Sequence, residues 1–496
     1  MTSVGAMLSH LRSQLGSKFS LSSQSSLTGS PVHASAAAEV AWLAPLIPVT
    51  PGKRDFLRQV DAFQQGRIDE LAAAYDNRAL ARLVLLKVGN LLVSQHGFHH
   101  RHTQLAGRPT QIMLDPSNTC QLQCPGCVHS SNATAGYGPP GDGRIFFEWP
   151  KGVMPPGTFD RIMSDYAPFA FAAVMYNYGE PLINKQFPDM VRRAKALGLY
   201  TWTSSNLSLS FDVDGVVGSD LDLLTMSIDG TSQETLQHYR RRGKYDLCLA
   251  NMRALVAAKR RLGGGPHLVW QFLTFAHNSH EIETALALAQ EIGVDELNVV
   301  TPLDMTWDDP TVPIHKSERA GRYVFNEDRH LTSPAAAAGL AIDEAVCDGL
   351  LSERWVDRMD RLGIQEEPSR AGRATCDWLY QNVTFDSADR VMPCCMAPTT
   401  TQHLHFATLG AADGDVTNSD EFRRARLAFV DRAAYDADAP SHPGREPHCA
   451  NCKATPTLNF PVNPHVAMQL QCLDQGRVFD AAAINSLTGS TPAGPA

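Results

Sequence analysis

The stretch QIMLDPSNTCQLQCPGC, residues 111–127, joins a short apolar segment to three closely spaced cysteines. Gln111–Leu114 has the length and apolar character of a buried strand. Cys120, Cys124 and Cys127 follow in one loop, in a C-x3-C-x2-C pattern. Three thiols this close in sequence cannot bridge one another without strain, but they can converge on one metal centre. The stretch therefore indicates a metal site at the end of a strand.

Three cysteine ligands leave one coordination position open. An open position on zinc is typical of catalysis, whereas on a four-iron cubane it lets one iron bind a substrate or cofactor directly. Structural zinc normally takes four protein ligands, which disfavours a purely structural site. The spacing alone thus leaves three hypotheses open: a zinc-dependent barrel enzyme, an iron-sulfur enzyme, and a noncatalytic iron-sulfur protein that carries electrons or docks partners.

Alternating strands and helices are predicted around and after this loop. The apolar runs that predict strands are Gln111–Leu114, Phe171–Tyr176, Leu199–Thr203, Leu221–Ile228, Leu268–Phe275 and Glu296–Val300. Helical periodicity is found in Pro156–Tyr166, Phe187–Ala196, Tyr245–Leu262 and Ile282–Ile292. Such alternation is typical of a parallel sheet covered by helices, in a doubly wound or barrel fold. In both folds the reactive loops lie at the C-terminal ends of the strands.

With 496 residues, the chain is longer than one ordinary domain. Composition and periodicity predict six segments. They are a disordered low-complexity N-terminus (1–50), a helical N-terminal extension (51–105), the barrel (106–305), a connection (306–374), a small cysteine-bearing domain with a hairpin (375–470) and a flexible tail (471–496).

Charge and cysteine content exclude several classes of protein. The formal net charge of -9 argues against nucleic acid as a partner, because a polyanion is attracted to a basic surface. No apolar run reaches the length of about eighteen residues that a membrane helix needs. The odd number of 11 cysteines disfavours a secreted disulfide scaffold. Cys248 and Cys347 fall in helical stretches and are expected to be core thiols.

A second group of cysteines lies in the C-terminal third of the chain. One cysteine precedes and another follows the hairpin predicted at Asn382–Phe385 and Arg390–Met392, and a C-x2-C pair comes later. Four thiolates in two pairs suit structural zinc and an iron-sulfur cluster about equally. The expected ligands are Cys376, Cys394, Cys449 and Cys452, with Cys395 or Cys472 as a substitute.

The cysteine loop and four later motifs together resemble the radical S-adenosylmethionine (SAM) superfamily over roughly residues 111–302. Tyr178-Gly179-Glu180-Pro181 after the second strand is similar to the family's GGE motif, with Tyr178 in place of the first glycine. The other matching motifs are Ser204-Ser205-Asn206 after the third strand, Ser227-Ile228-Asp229-Gly230 at the end of the fourth, and Arg240 beyond it.

This resemblance implies a partial (β/α)6 TIM-like barrel of α/β class in which Cys120, Cys124 and Cys127 hold a catalytic [4Fe-4S] cluster. It further implies that the cluster reductively cleaves SAM to a 5′-deoxyadenosyl radical, which abstracts hydrogen from a peptide or small-molecule substrate. The residues expected to bind SAM are Tyr178, Gly179, Glu180, Pro181, Asn206, Ser227, Asp229, Arg240 and Gln271.

The region after residue 375 resembles the auxiliary-cluster extension called SPASM or twitch. It implies one auxiliary [4Fe-4S] cluster on the second cysteine group, although Asp389 stands where the extension usually has a turn glycine. Such enzymes are oxidoreductase-type, so we expect oxidation or epimerisation of the substrate and a reducing partner such as flavodoxin or ferredoxin. Because such clusters are oxygen-sensitive, a cytoplasmic location is expected, with neither nucleic acid nor membrane as a partner.

Overall fold

The computed structural model describes residues 52–125, 127, 151–302, 311–326, 344–395, 406–410, 415–443 and 446–452. Its strands are β1 (Gln111–Leu114), β2 (Ala172–Val174), β3 (Tyr200–Ser205), β4 (Leu223–Ser227), β5 (His267–Leu273), β6 (Glu296–Val300), β7 (Gly321–Val324), β8 (Asn382–Phe385), β9 (Arg390–Met392) and β10 (Ala407–Thr408). Its α-helices are α1 (Lys53–Tyr75), α2 (Arg78–His99), α3 (Pro156–Tyr166), α4 (Phe187–Ala196), α5 (Val213–Val217), α6 (Gln233–Tyr239), α7 (Tyr245–Leu262), α8 (Ile282–Ile292), α9 (Glu344–Ser352), α10 (Trp355–Arg361), α11 (Trp378–Gln381), α12 (Asp420–Val430) and α13 (Arg432–Asp438).

All these strands form one ten-stranded sheet, in the order β10-β9-β8-β1-β2-β3-β4-β5-β6-β7. Strands β1 to β6 are parallel neighbours in chain order. A doubly wound fold reverses direction at a switch point, whereas a barrel winds one way. The uninterrupted order therefore selects the barrel and confirms the partial (β/α)6 architecture expected from the sequence.

Alternate residues of each strand face opposite sides of the sheet. Met113, Val174, Trp202 and Val269 belong to one apolar cluster on the inner side. The other side packs against the helices in the largest core of the molecule, which includes Trp270 and Phe272. Because side chains alternate along a strand, the residue between these two aromatics points inward. The carboxyl ends of β1 to β6 thus surround a single mouth.

The hairpin after residue 375 extends the barrel sheet. Strand β8 pairs with β1 in parallel, in the register Gln111 to Asn382 and Leu114 to Phe385. Strands β9 and β10 continue the sheet in antiparallel pairing. This differs from the small appended domain expected from the sequence. In a six-stranded partial barrel β1 would expose its unpaired backbone edge, and β8 covers that edge.

The helical extension docks beside the start of β2. Helices α1 and α2 share an apolar core with α10, in which Phe56, Leu85 and Trp355 are buried. The buried Lys87 donates to the carbonyl oxygens of Ala167, at 2.7 Å, and Ala170. Burial lowers the pKa of Lys87 to about 7. Lys87 therefore joins the extension to the barrel through backbone carbonyl oxygens.

Several predictions concern residues outside the described part of the chain. These are the disordered N-terminus at 1–50, the tail at 471–496, and the substitute ligand Cys472. Within the described residues, none of the helices combines the length and the apolar character needed to cross a membrane.

We expect the buried histidines at the end of α2 to make the fold less stable in mild acid, against the opposite contribution of buried carboxylates such as Asp115 and Glu180, whose pKa values are raised. His96 and His102, at the end of α2, are 2% and 3% exposed. Burial, with neighbouring cations, lowers the pKa of both, that of His96 to about 2. As the pH falls below about 6.5, the unfolded chain takes up protons that the folded chain does not. Each histidine then removes up to about 1.4 kcal/mol of unfolding free energy per pH unit.

Urea unfolding between pH 7.5 and 5 measures this loss. His96→Phe, which keeps a ring against Phe56, removes one titrating group, so as the pH falls from 7.5 to 5 the unfolding free energy of the variant should rise relative to that of the unmodified chain. Equal slopes for the two proteins would contradict the assignment of His96 as a buried neutral group.

Candidate functional site

The cysteine loop starts at the carboxyl end of β1 and is tied to the loops after β3 and β4. Gln121 Nε2 donates to Asn206 Oδ1 at 2.8 Å, and Asn206 Nδ2 lies 3.7 Å from the Sγ of Cys120. The backbone N–H of Gln123 donates to the carbonyl oxygen of Arg241 at 3.1 Å. These bonds bring Asn206, which the sequence placed in the SAM site, against the first cysteine.

The three cysteines of this loop share an apolar setting with Tyr239 and Phe275. Burial, together with the neighbouring thiol of Cys127, raises the pKa of Cys124 to about 12, against the lowering effect of Arg240. Burial, Glu180 and the other two thiols together raise the pKa of Cys120. Deprotonating these thiols therefore costs free energy unless a cationic centre binds the thiolates. Three cysteine thiolates around such a centre are the donor set of an iron-sulfur cluster.

The side chains as placed do not form a compact single-ion site. In the ranges that the structure describes, no group of three or more His, Cys, Asp or Glu side chains could hold one metal ion. The assignment of a cluster therefore remains a proposal based on the donor set and its surroundings.

The turn after β2 is held by a buried carboxylate at the end of β1. Asp115 accepts the backbone N–H groups of Asn177, Tyr178 and Gly179 at 2.9, 3.1 and 3.3 Å. Burial raises the pKa of Asp115 to about 7. The sequence analysis missed this residue, although an acidic residue directly after a buried strand was a signal. Asp115 fixes the backbone of the turn that resembles the GGE motif.

Two backbone contacts press this turn against the cysteine loop. A Cβ on Gly179 would lie 1.5 Å from the carbonyl oxygen of Ser117, so no larger residue fits without movement. The backbone N–H of Glu180 donates to the carbonyl oxygen of Thr119 at 2.9 Å. Pro181 then begins a short 3-10 helix, Pro181–Ile183. Gly179 is therefore needed because it lets the backbone of this turn lie directly against the backbone of the cysteine loop.

Glu180 directs its carboxylate into the same region. It is 2% exposed and accepts the backbone N–H groups of Leu182 and Asn206 at 3.2 and 2.9 Å. Burial raises its pKa to about 7, and the carboxylate is close enough to Cys120 to raise the pKa of that thiol. A buried carboxylate beside the cysteine loop is suited to receive an ammonium group.

An ion pair connects the end of β4 to the cysteine loop. Asp229, which is fully buried, accepts Arg240 Nε at 2.5 Å and the backbone N–H of Leu273 at 2.7 Å. Arg240 also forms a side-chain hydrogen bond with Cys124. The structure thus brings together a carboxylate, a guanidinium and a thiol that the sequence had placed in one site.

Polar side chains line the mouth of the barrel beside this ion pair. The hydroxyl groups of Ser204 and Ser227 are 3.0 Å apart. Ser227 pairs in register with Gln271, which in turn pairs with Asn298. Because these residues share the inward face of adjacent strands, they form one polar layer above the apolar interior.

The second cysteine group lies at the other side of β1. Cys376 precedes α11, Cys394 follows β9, Cys449 lies within the short 3-10 helix His448–Asn451, and Cys452 directly follows that helix. Burial raises the pKa of Cys449, and the thiols of Cys394, Cys376 and Cys452 raise it further. Cys395 is buried in the apolar cluster of the barrel interior, against which Cys376 and Cys394 also pack. The thiols of the four expected ligands are therefore near enough to influence one another, although within the described residues they do not form a group that could hold a metal ion.

Asp389 occupies the left-handed turn of the β8–β9 hairpin. Its φ is 63°, a conformation that glycine adopts readily and that aspartate tolerates better than most residues. Its carboxylate accepts the Thr158 hydroxyl at 2.6 Å, and its carbonyl oxygen accepts the Leu409 N–H at 2.7 Å. The side chain thus stabilises the turn that the auxiliary-cluster extension usually builds with glycine.

The remaining described cysteines are core thiols. Cys248 and Cys347 are buried, and Cys248 Sγ donates to the carbonyl oxygen of Asn206 at 3.3 Å. Their positions agree with the prediction that they pack in the core.

Comparison with known proteins identifies distant relatives. No protein-family model matches the chain. It is 24% identical over 193 residues to a PqqA peptide cyclase of Xanthomonas campestris pv. campestris, covering 38% of this chain and 46% of the relative. A PqqA peptide cyclase of Xanthomonas euvesicatoria pv. vesicatoria is 23% identical over 208 residues, covering 39% and 48%. The chain thus spans about half the length of the curated relatives it matches.

Solved structures with partial similarity include SuiB of Streptococcus suis bound to its precursor peptide SuiA. It is 11% identical, with a TM-score of 0.40 over 71% of each chain. The protein anSMEcpe with bound AdoMet is 11% identical, with a TM-score of 0.38 over 77% of this chain and 100% of the other. Both TM-scores are below 0.5, so these structures carry no argument about function. A proposal about function has to rest on the sequence relatives and on the geometry of the site.

Proposed function

We propose that this chain, a relative of the radical SAM enzymes with a second cysteine site, cleaves SAM reductively and modifies a peptide. Cys120, Cys124 and Cys127 would hold the catalytic [4Fe-4S] cluster. When bound, the cluster and SAM supply one electron and a 5′-deoxyadenosyl radical that takes a hydrogen atom from the substrate. The observation that carries the proposal is that these three cysteines lie close to Glu180 and Arg240, at the carboxyl ends of the barrel strands.

The residues around the cysteines have distinct roles in this proposal. Glu180 would accept the methionyl ammonium of SAM, since it is a buried carboxylate that accepts backbone N–H groups of Leu182 and Asn206. Arg240, held by Asp229, would offset the negative charge of the thiolates beside it. Tyr239 and Phe275, with ring centroids 4.4 Å apart, would exclude water from the cluster.

The polar layer at the mouth of the barrel would orient the rest of SAM and the substrate. Ser227, Asn206 and Gln271 offer hydroxyl and amide groups for the ribose and adenine. We infer a peptide substrate because the curated relatives are named for acting on a peptide. Oxidation or epimerisation of a residue in that peptide is the reaction we favour, and a small metabolite is the alternative substrate.

The auxiliary site completes the proposed enzyme. Cys376, Cys394, Cys449 and Cys452 would hold a second [4Fe-4S] cluster, which would accept an electron from the substrate or anchor the barrel edge. A flavodoxin or ferredoxin would supply electrons to the catalytic cluster. Both clusters require reducing surroundings, and a cytoplasmic location would provide them.

Glu180→Gln tests the SAM site. The amide cannot pair with an ammonium, so we expect SAM to bind at least about tenfold more weakly, while iron content is unchanged. Glu367→Gln is the matched control, because Glu367 also accepts backbone N–H groups, from Thr103 and Gln104, at a distant junction. Equal SAM affinities for the two variants in equilibrium dialysis would contradict the role of Glu180.

A further inference from the structure

Tyr178 connects the two cysteine sites through one residue. Its backbone belongs to the turn after β2, where its N–H donates to Asp115 at 3.1 Å. Its side chain leaves the turn in the direction of the second cysteine group and packs against Met392 and Cys394. Its hydroxyl donates to the carbonyl oxygen of Cys395 at 2.7 Å. A displacement of the Cys394-Cys395 backbone would therefore move or break this hydrogen bond and so act directly on the turn after β2.

A second set of bonds makes the surroundings of Tyr178 rigid. The N–H of Asp115 donates to the carbonyl oxygen of Phe385 at 2.9 Å, so the carboxylate that holds the turn is itself fixed by β8. The N–H of Ser387 donates to Asn118 Oδ1 at 3.0 Å, which joins the hairpin to the loop just before Cys120. The hairpin and the loops of the barrel mouth are thus in contact at two further points.

The side chain of Tyr178 is not required by the turn itself. The backbone of Tyr178 is not in the left-handed region, and the close approach is made by Gly179. The resembling motif has glycine at this position, which has no side chain that reaches the neighbouring hairpin. The tyrosine therefore adds a contact between the two sites while leaving the backbone geometry of the turn unchanged.

We propose that Tyr178 is a positioning residue that couples the auxiliary cysteine site to the SAM-binding turn. Ligation of Cys394 would immobilise the carbonyl of Cys395, and the hydrogen bond from the Tyr178 hydroxyl would hold the turn in its binding conformation. This inference depends on the proposed function. Because coupling between two sites is reciprocal, SAM would also stabilise the auxiliary site.

A double-mutant cycle measures the coupling. The proteins are the reconstituted unmodified chain, Tyr178→Phe, Cys452→Ala and the double variant, and the quantity is the SAM dissociation constant. Cys452 is chosen because it is only half-buried, so the alanine variant is expected to fold. Tyr178→Phe and Cys452→Ala should each weaken SAM about fivefold, the effect of one hydrogen bond, and the double variant should weaken it no further.

Tyr323→Phe is the matched control, because Tyr323 also donates its hydroxyl to a backbone carbonyl, that of Arg319, at 3.0 Å. It should leave SAM affinity unchanged. Independent single effects that multiply to about 25-fold in the double variant would overturn the coupling, as would a Tyr178→Phe protein that binds SAM normally.

Hydrogen exchange separates failure of the coupling from failure of the proposed function. Loading the auxiliary cluster should slow exchange of the Glu180 N–H, which bonds Thr119, in the unmodified chain and not in Tyr178→Phe. Equal protection in both proteins overturns the coupling even if SAM binds. The expected difference in a chain that binds no SAM supports the coupling and overturns the proposed function.

Discussion

Replacing Cys124 by alanine will abolish SAM cleavage, whereas replacing Cys452 by alanine will spare part of it. Cys124 is buried in the cysteine loop beside Arg240, so its replacement would remove a proposed cluster ligand and the thiol that Arg240 contacts. We expect at least roughly a thousandfold loss of 5′-deoxyadenosine formation in Cys124→Ala. Cys452 lies in the group that includes Cys376 and Cys449, away from the cysteine loop.

Iron content distinguishes the two variants further. Two four-iron clusters predict about eight irons in the unmodified chain and about four in each variant. Cys452→Ala should still bind SAM, about fivefold more weakly through the contact of Tyr178 with the second site. Complete loss of iron from Cys452→Ala would show that the two cysteine groups do not form separate sites.

Gly179→Ala will disrupt both the SAM turn and the cysteine loop. The added Cβ would lie 1.5 Å from the carbonyl oxygen of Ser117 and 2.6 Å from its carbon, and backbone atoms cannot move as a flexible side chain does. We expect the free energy of unfolding to fall by about 2–3 kcal/mol, typical of overpacking at a buried site. SAM affinity should fall by more than about a hundredfold, because the turn must move by about 1.5 Å to relieve this contact.

Gly157→Ala is the control for this substitution. Gly157 lies in the first turn of α3, and a Cβ there meets no atom within 4 Å. Its stability should be unchanged or slightly raised, because alanine is the better helix former. Thermal unfolding and SAM dialysis of the two alanine variants give the comparison. A Gly179→Ala protein that binds SAM like Gly157→Ala would show that the loops do not need their close approach.

The succession of strands and helices in the barrel could be predicted from the sequence, because each element is marked by a local pattern of apolar residues. Each of β1 to β6 is a short apolar run between helical periods, and β1 ends directly before the C-x3-C-x2-C loop. The pairing of β8 with β1 was not accessible, since the partners Gln111 and Asn382 are far apart in the chain and nothing local encodes which edge accepts the hairpin.

Some residues of the candidate site could likewise be predicted from local sequence motifs, and others could not. Motif residues such as Glu180 and Asp229 were predicted because their types and positions at strand ends match a known pattern, and the structure brings them to the cysteine loop. Asp115 was missed, because its role is to bind three backbone N–H groups of a distant turn. The contact of the Tyr178 side chain with the carbonyl oxygen of Cys395 was not predicted for the same reason, since the two residues are remote in sequence.

The most direct test of the account is metal content and SAM cleavage in one preparation. The chain is purified and reconstituted with iron and sulfide without oxygen, then given SAM and dithionite. The account predicts about eight irons per chain, as for two four-iron clusters, together with formation of 5′-deoxyadenosine. Zinc without iron, or iron without any 5′-deoxyadenosine, would contradict it.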